Sequence, residues 1–149
     1  MFSLIKSMTM SRVPFLKHVG VRIDDIGNGH ATTHLPDEAH LKNHVGSAHA
    51  AAIFMACKTA SGVATAGAFG SVFLDSRPVV REARITYLRP ATGAISAQAK
   101  VQGDASLLLQ RLHDAKTVDF EVVVDAVNPD GVKAATATYI WNLKLSAQA

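Results

Sequence analysis

Between Val45 and Leu74 the chain carries one Lys, Arg, Asp or Glu, and that residue is Lys58. A run this long and this uncharged has to leave water, either in a bilayer or inside a protein core. Its composition decides between the two. Ala, Gly, Ser and Thr dominate it, and a lysine at its centre costs about 2.5–3.5 kcal/mol on insertion scales. The run therefore reads as a helix enclosed by the rest of its own domain. Ala50, Ala51, Ala52, Ala56, Ala60 and Ala64 put small side chains on nearly every face, so other backbone can approach from all round. Leu41–Gly46 is polar and ends in glycine, which makes Ser47 the expected N-cap of a helix from Ala48 to about Ala66.

What encloses that helix is legible from period two. In Ala94–Val101, Ile95, Ala97, Ala99 and Val101 share one face and Ser96, Gln98 and Lys100 the other, the pattern of a half-solvated antiparallel strand. Val118–Val127 repeats it, with Val118, Phe120, Val122, Val124 and Ala126 inward. Asn128-Pro129-Asp130-Gly131 is a turn leading to a strand over Val132–Leu143. Val79–Leu88 is another strand, with Ala83, Ile85 and Tyr87 opposite Glu82, Arg84 and Thr86. Val19–Ile23 and Ala31–Leu35 flank Gly27-Asn28-Gly29 as a hairpin, and Ala105–Ala115 reads as a short helical connection. Strands before and after one long helix give an α+β fold, with the last four strands expected in a meander. Residues 1–149 read as one domain, in which 1–14 form a short amphipathic lead-in rather than a signal peptide.

With 48% hydrophobic and 18% charged residues, intrinsic disorder is excluded. The one cysteine, Cys57, excludes an intrachain disulfide and points to a reducing, cytoplasmic setting. Fifteen Lys and Arg against twelve Asp and Glu leave +3, and no basic cluster marks a nucleic-acid arm. Small anionic ligands fit this balance better than a polymer or a membrane.

The segment Asn43-His44-Val45-Gly46-Ser47-Ala48-His49-Ala50-Ala51-Ala52-Ile53-Phe54 resembles the signature loop and helix start of hotdog-fold acyl-CoA thioesterases, in the 4-hydroxybenzoyl-CoA and phenylacetyl-CoA branches. There an Asn and a Gly precede a His-Gly-Gly that opens the central helix. Ile85-Thr86-Tyr87-Leu88-Arg89-Pro90-Ala91-Thr92-Gly93 is similar to the end of that family's third strand. The resemblance spans Leu41–Leu143 and implies an antiparallel sheet wrapped around one helix. It also implies a homo-oligomer, dimer or tetramer, that takes an acyl-CoA or related thioester between subunits, without a cofactor.

The resemblance assigns roles residue by residue. Ala50, directly after His49, holds the place whose backbone N–H meets the developing oxyanion, since the first helical N–H groups lack partners and the dipole is positive there. Asn43 and His49 hold the loop or the substrate. The family's Asp or Glu, about two turns into the helix, is replaced here by Lys58. A protonated lysine accepts no proton, and burial lowers a lysine's pKa. Gly46, Ser47, Glu82 and Arg89 complete the expected substrate contacts, with Arg89 first among the arginines suited to coenzyme A phosphates. The plainer readings stand beside these. Ser47 is a cap, Cys57 a buried structural thiol, Lys58 an ion-pair partner of Glu82 or Asp75, and the arginines a solvated strand face. His40, His44 and His49, with Asp37 and Glu38, read as loop histidines rather than a metal site.

Overall fold

The structure, a computed structural model, describes residues 1–147. Two helices open the chain, α1 (Phe2–Arg12) and α2 (Pro14–Val19). Pro14 at the first helical position starts α2, and Gly20, with φ +81°, stops it in the left-handed region. The hairpin β1 (Arg22–Gly27) and β2 (His30–Leu35) follows, then α3 (Ala50–Phe69) and a 3-10 turn over Gly70–Asp75. The remainder is β3 (Ser76–Tyr87), β4 (Ile95–Val101), α4 (Ala105–Ala115), β5 (Thr117–Val127) and β6 (Lys133–Leu145).

All six strands form one antiparallel sheet in the order β1-β2-β4-β5-β6-β3. The expected meander is correct for β4, β5 and β6 and wrong for β3, which lies beyond β6 at the far edge. Alternation identifies which face of a strand is buried but not which neighbour it pairs with. The hairpin also starts later than expected, because Val19 belongs to α2 and β1 begins at Arg22.

α3 packs on β1, β2, β4 and β5. Together with the turn after it, this helix is long and apolar enough to cross a membrane, yet 72% of its most apolar window is buried within the fold. The inward residues of β4 and β5 are those that alternation selected, and they join Ala56, Cys57, Ala60 and Ala64 in one contiguous core. The helix's hydroxyls are satisfied locally. Thr59 and Thr65 donate to the carbonyls of Met55 and Ser61, and Thr33 of β2 donates to the Ala56 carbonyl at 2.9 Å. Trp141 Nε1 donates to Ser61 Oγ at 3.2 Å. Among the described residues no buried side-chain polar atom lacks a partner.

The helix and sheet approach closely at Gly67, where an added Cβ would lie 2.1 Å from the carbonyl oxygen of Gly27. Gly67→Ala is expected to destabilise the fold by about 1–3 kcal/mol, because the added methyl overpacks backbone against backbone. In an open helix the same change stabilises by ~1 kcal/mol. Urea unfolding decides it, and a higher midpoint for the variant would contradict the close approach.

Candidate active site

Residues 43–49 form a loop built around one side chain. Asn43 Oδ1 accepts the N–H groups of Val45 and Ser47, both at 3.1 Å, and Asn43 Nδ2 donates to Ser47 Oγ at 2.9 Å. The Asn43 N–H donates to the Ser47 carbonyl, and Gly46, with φ +81°, donates to the Asn43 carbonyl. That positive φ is the reason a glycine stands at 46. With its N–H and hydroxyl held by Asn43, Ser47 is a buried loop brace and not the expected N-cap. The cap is His49, whose Nδ1 accepts the Ala51 N–H at 3.0 Å, so α3 starts at Ala50, two residues later than expected. With Nδ1 accepting, the neutral imidazole carries its proton on Nε2 and presents a donor outward.

This arrangement leaves one group free. The Ala50 N–H has no acceptor among the described residues, at the positive end of a 20-residue helix. Ala50 is exposed, while its carbonyl receives the Tyr87 hydroxyl at 2.8 Å. The loop after β3 is tied to the same place, for the Ala48 N–H donates to the Ala91 carbonyl at 2.9 Å. Asn43, Gly46, Ser47, His49, Ala50 and the Arg89 loop therefore converge at the mouth of α3. Arg89 is exposed, two residues from that tie.

Glu82 lies elsewhere, and Lys58 lies further along α3. Glu82 is on the outer face of the sheet, 3.7 Å from Arg84 and in register with Ile140, away from α3. Lys58 lies two turns along α3, half-buried, with Nζ 5.3 Å from the centroid of the Trp141 ring. Among the described residues it makes no ion pair, with Glu82 and Asp75 included, and the indole face is its neighbour instead. Burial pushes its pKa down. It lines a cavity of about 600 Å³ between α1, α3 and the start of β3.

Cys57 is fully buried beside it in sequence, and burial first, then the Asp125 charge, pushes the thiol up to about 12. Among the described residues no three His, Cys, Asp or Glu side chains gather as a metal group. Tyr87 has no role that its sequence surroundings assign. Its position at the head of Tyr87-Leu88-Arg89-Pro90 was the available signal. Burial raises its pKa, with the Cys57 charge a lesser cause, so the phenol is a donor at neutral pH.

A six-stranded antiparallel sheet folded around one long helix, with a loop of this form at the helix mouth, is the hotdog fold. Residues 2–143 match the family described as a domain of unknown function, DUF4442, and the chain belongs to it. Similar solved structures include a Pseudomonas aeruginosa protein of unknown function described as a probable thioesterase. It is 22% identical, with TM-score 0.84 over 97% of this chain and 95% of that one. A thioesterase family protein from Silicibacter pomeroyi is 20% identical, with TM-score 0.78 over 98% and 100%. The Escherichia coli PaaI protein of the phenylacetic acid degradation operon is 18% identical, with TM-score 0.73 over 97% and 94%. No curated protein matches the chain by sequence.

The burial of Cys57 has a direct chemical consequence. At pH 8 iodoacetamide should leave the native protein unlabelled and label it fully in urea, since the thiolate is the reactive form. Labelling of the folded protein at the rate of a free thiol would contradict the buried, neutral thiol.

Proposed function

We propose that the chain is an acyl-CoA thioesterase-like protein that holds an acyl thioester at the mouth of α3 and hydrolyses it slowly. The observation that carries this reading is the unpartnered Ala50 N–H, held open while His49 caps Ala51 and Asn43 braces the loop. A thioester carbonyl docked there gains a donor at the atom where negative charge develops. His49 Nε2–H stands close by as a further donor, the Tyr87 O–H being held by the Ala50 carbonyl, and Arg89 serves the anionic end of coenzyme A. The methyl of Ala50 narrows the approach without removing the donor.

Hydrolysis adds water to the carbonyl carbon, breaks the C–S bond and releases a thiolate that takes up the proton the water lost. A group must hold that proton in transit. Lys58, at the position of the family's carboxylate, cannot do so as an ammonium. A pure binding role is favoured by the same residue, so the two readings differ in one measurable rate. Across a panel of acyl-CoAs, wild type should bind and turn over slowly. Lys58→Glu should raise turnover on the order of 10²-fold, the lower range for a positioned base, and Lys58→Ala should keep binding with low turnover. Fast hydrolysis by wild type that Lys58→Ala abolishes would place Lys58, or a base it positions, in the chemistry.

The site is completed in a homodimer. β3 is an edge strand of 12 residues, and the sheet runs past α3 there, leaving Ala83 and Tyr87 of its inner face exposed and Ile85 half-covered. The opposite edge, β1, has 6 residues, an irregular register between Ile23 and Asp25, and exposed Asp24 and Asp25, all of which discourage pairing. A second copy against β3 would cover its open edge and meet Tyr87, hence Ala50. A cytoplasmic location fits the single reduced thiol. Sedimentation at micromolar concentration should give a dimer or tetramer, and a stable monomer would count against a shared site.

A further inference from the structure

The charge of the chain is not spread evenly. Residues 1–23 carry four Lys and Arg and no Asp or Glu, whereas residues 24–149 carry eleven against twelve. The net +3 therefore belongs to the N-terminal segment. The whole-chain balance that argued against a membrane is an average over two unlike parts. The basic part is α1 and α2 with the entry to β1, and both helices pack on α3. Lys6, Arg12 and Lys17 are exposed, and among the described residues none of them takes part in an ion pair. Apolar side chains are exposed on the same segment. Ile5, Leu16 and Val19 are buried, but Met1, Phe2, Leu4, Val13 and Phe15 are not. Those five are nearly half of the eleven exposed large apolar residues among the described positions, so they form a cluster and not a scatter. Leu16 and Val19 share one side of α2, which turns Pro14, Lys17 and His18 outward. Phe15 stands at the margin, 58% exposed and stacked on the His18 ring.

Exposed Phe, Leu and Met among lysines and arginines suit a lipid headgroup layer. Apolar side chains reach the acyl boundary there while the cations stay beside the phosphates. The alternatives use only half of this surface. A second copy paired through it by a two-fold axis would bring cation against cation. A nucleic acid would engage the cations and leave Phe2, Leu4 and Phe15 without a partner. We propose that α1 and α2 form a docking surface for an anionic lipid bilayer, on which the protein rests peripherally. Coulomb attraction selects the negative surface, and shallow insertion of Phe15 and the apolar residues of α1 holds the contact. Neither contribution anchors a protein alone, so the attachment is reversible and sensitive to salt. The mouth of α3 takes no part in it, and the inference does not require thioester hydrolysis.

Co-sedimentation with vesicles tests the surface and separates charge from insertion. One set is phosphatidylcholine alone, and the other is phosphatidylcholine and phosphatidylglycerol in equal parts. At low ionic strength the protein should partition onto the mixed vesicles more strongly by about tenfold or more. Salt at about 0.5 M should remove most of that difference. Lys6→Gln combined with Lys17→Gln should weaken binding to the mixed vesicles about 25-fold, at about fivefold for each cation. Phe15→Ser should weaken it about tenfold and keep the salt dependence. All three positions are exposed, so the urea midpoint should stay where it is. Equal partition onto both vesicles, or none onto either, overturns the proposal, as does binding that neither variant alters. Capture on heparin without vesicle binding would assign the cations to a polyanion. A smaller sedimentation coefficient for Phe15→Ser would make this face a contact between copies. Either of those two results overturns the proposal as well.

Discussion

The fold depends on how closely backbone can approach α3. The helix is ringed by small side chains because the sheet curls around it, and a wide residue on any of several faces would push a strand away. Gly67 meets the Gly27 carbonyl backbone to backbone, and Ala56, Ala60 and Ala64 have no exposed surface. A helix so enclosed cannot shed its polar atoms to solvent, which is why Thr59 and Thr65 return their hydroxyls to its own carbonyls. The same enclosure fixes where α3 can be reached, namely at its mouth near Ala50 and along the side that α1 covers.

Enclosure was legible in the sequence because a long uncharged helix of small side chains, with a lysine at its centre, suits a protein core better than a bilayer. β4 and β5 were legible because their alternation is unbroken. Strand order was not. The pairing of β3 with β6 goes with the path of residues 88–94, which is tied to segments distant in sequence, Leu88 N–H to the Ala134 carbonyl and the Ala91 carbonyl to Ala48 N–H. The helix start was misplaced for a similar reason. Ser47 and His49 can both cap, and the choice fell to His49 because Asn43 had already engaged the Ser47 hydroxyl and N–H.

Of the candidate site, the loop was readable because its residues are neighbours in sequence and their hydrogen bonds are local. Tyr87 escaped assignment because its partner is the Ala50 carbonyl, which no pattern around either residue reveals. Glu82 was grouped with the site although period two already sets it opposite Ala83, Ile85 and Tyr87, and its register with Ile140 puts it on the outer face.

Lys58 joins the helix, the indole and the cavity. The face of the Trp141 ring beside the Lys58 ammonium carries the negative side of the ring's quadrupole, which attracts a cation and repels an anion. The indole thus favours the lysine on electrostatic grounds, independently of any substrate. Burial acts in the opposite sense and favours the neutral amine.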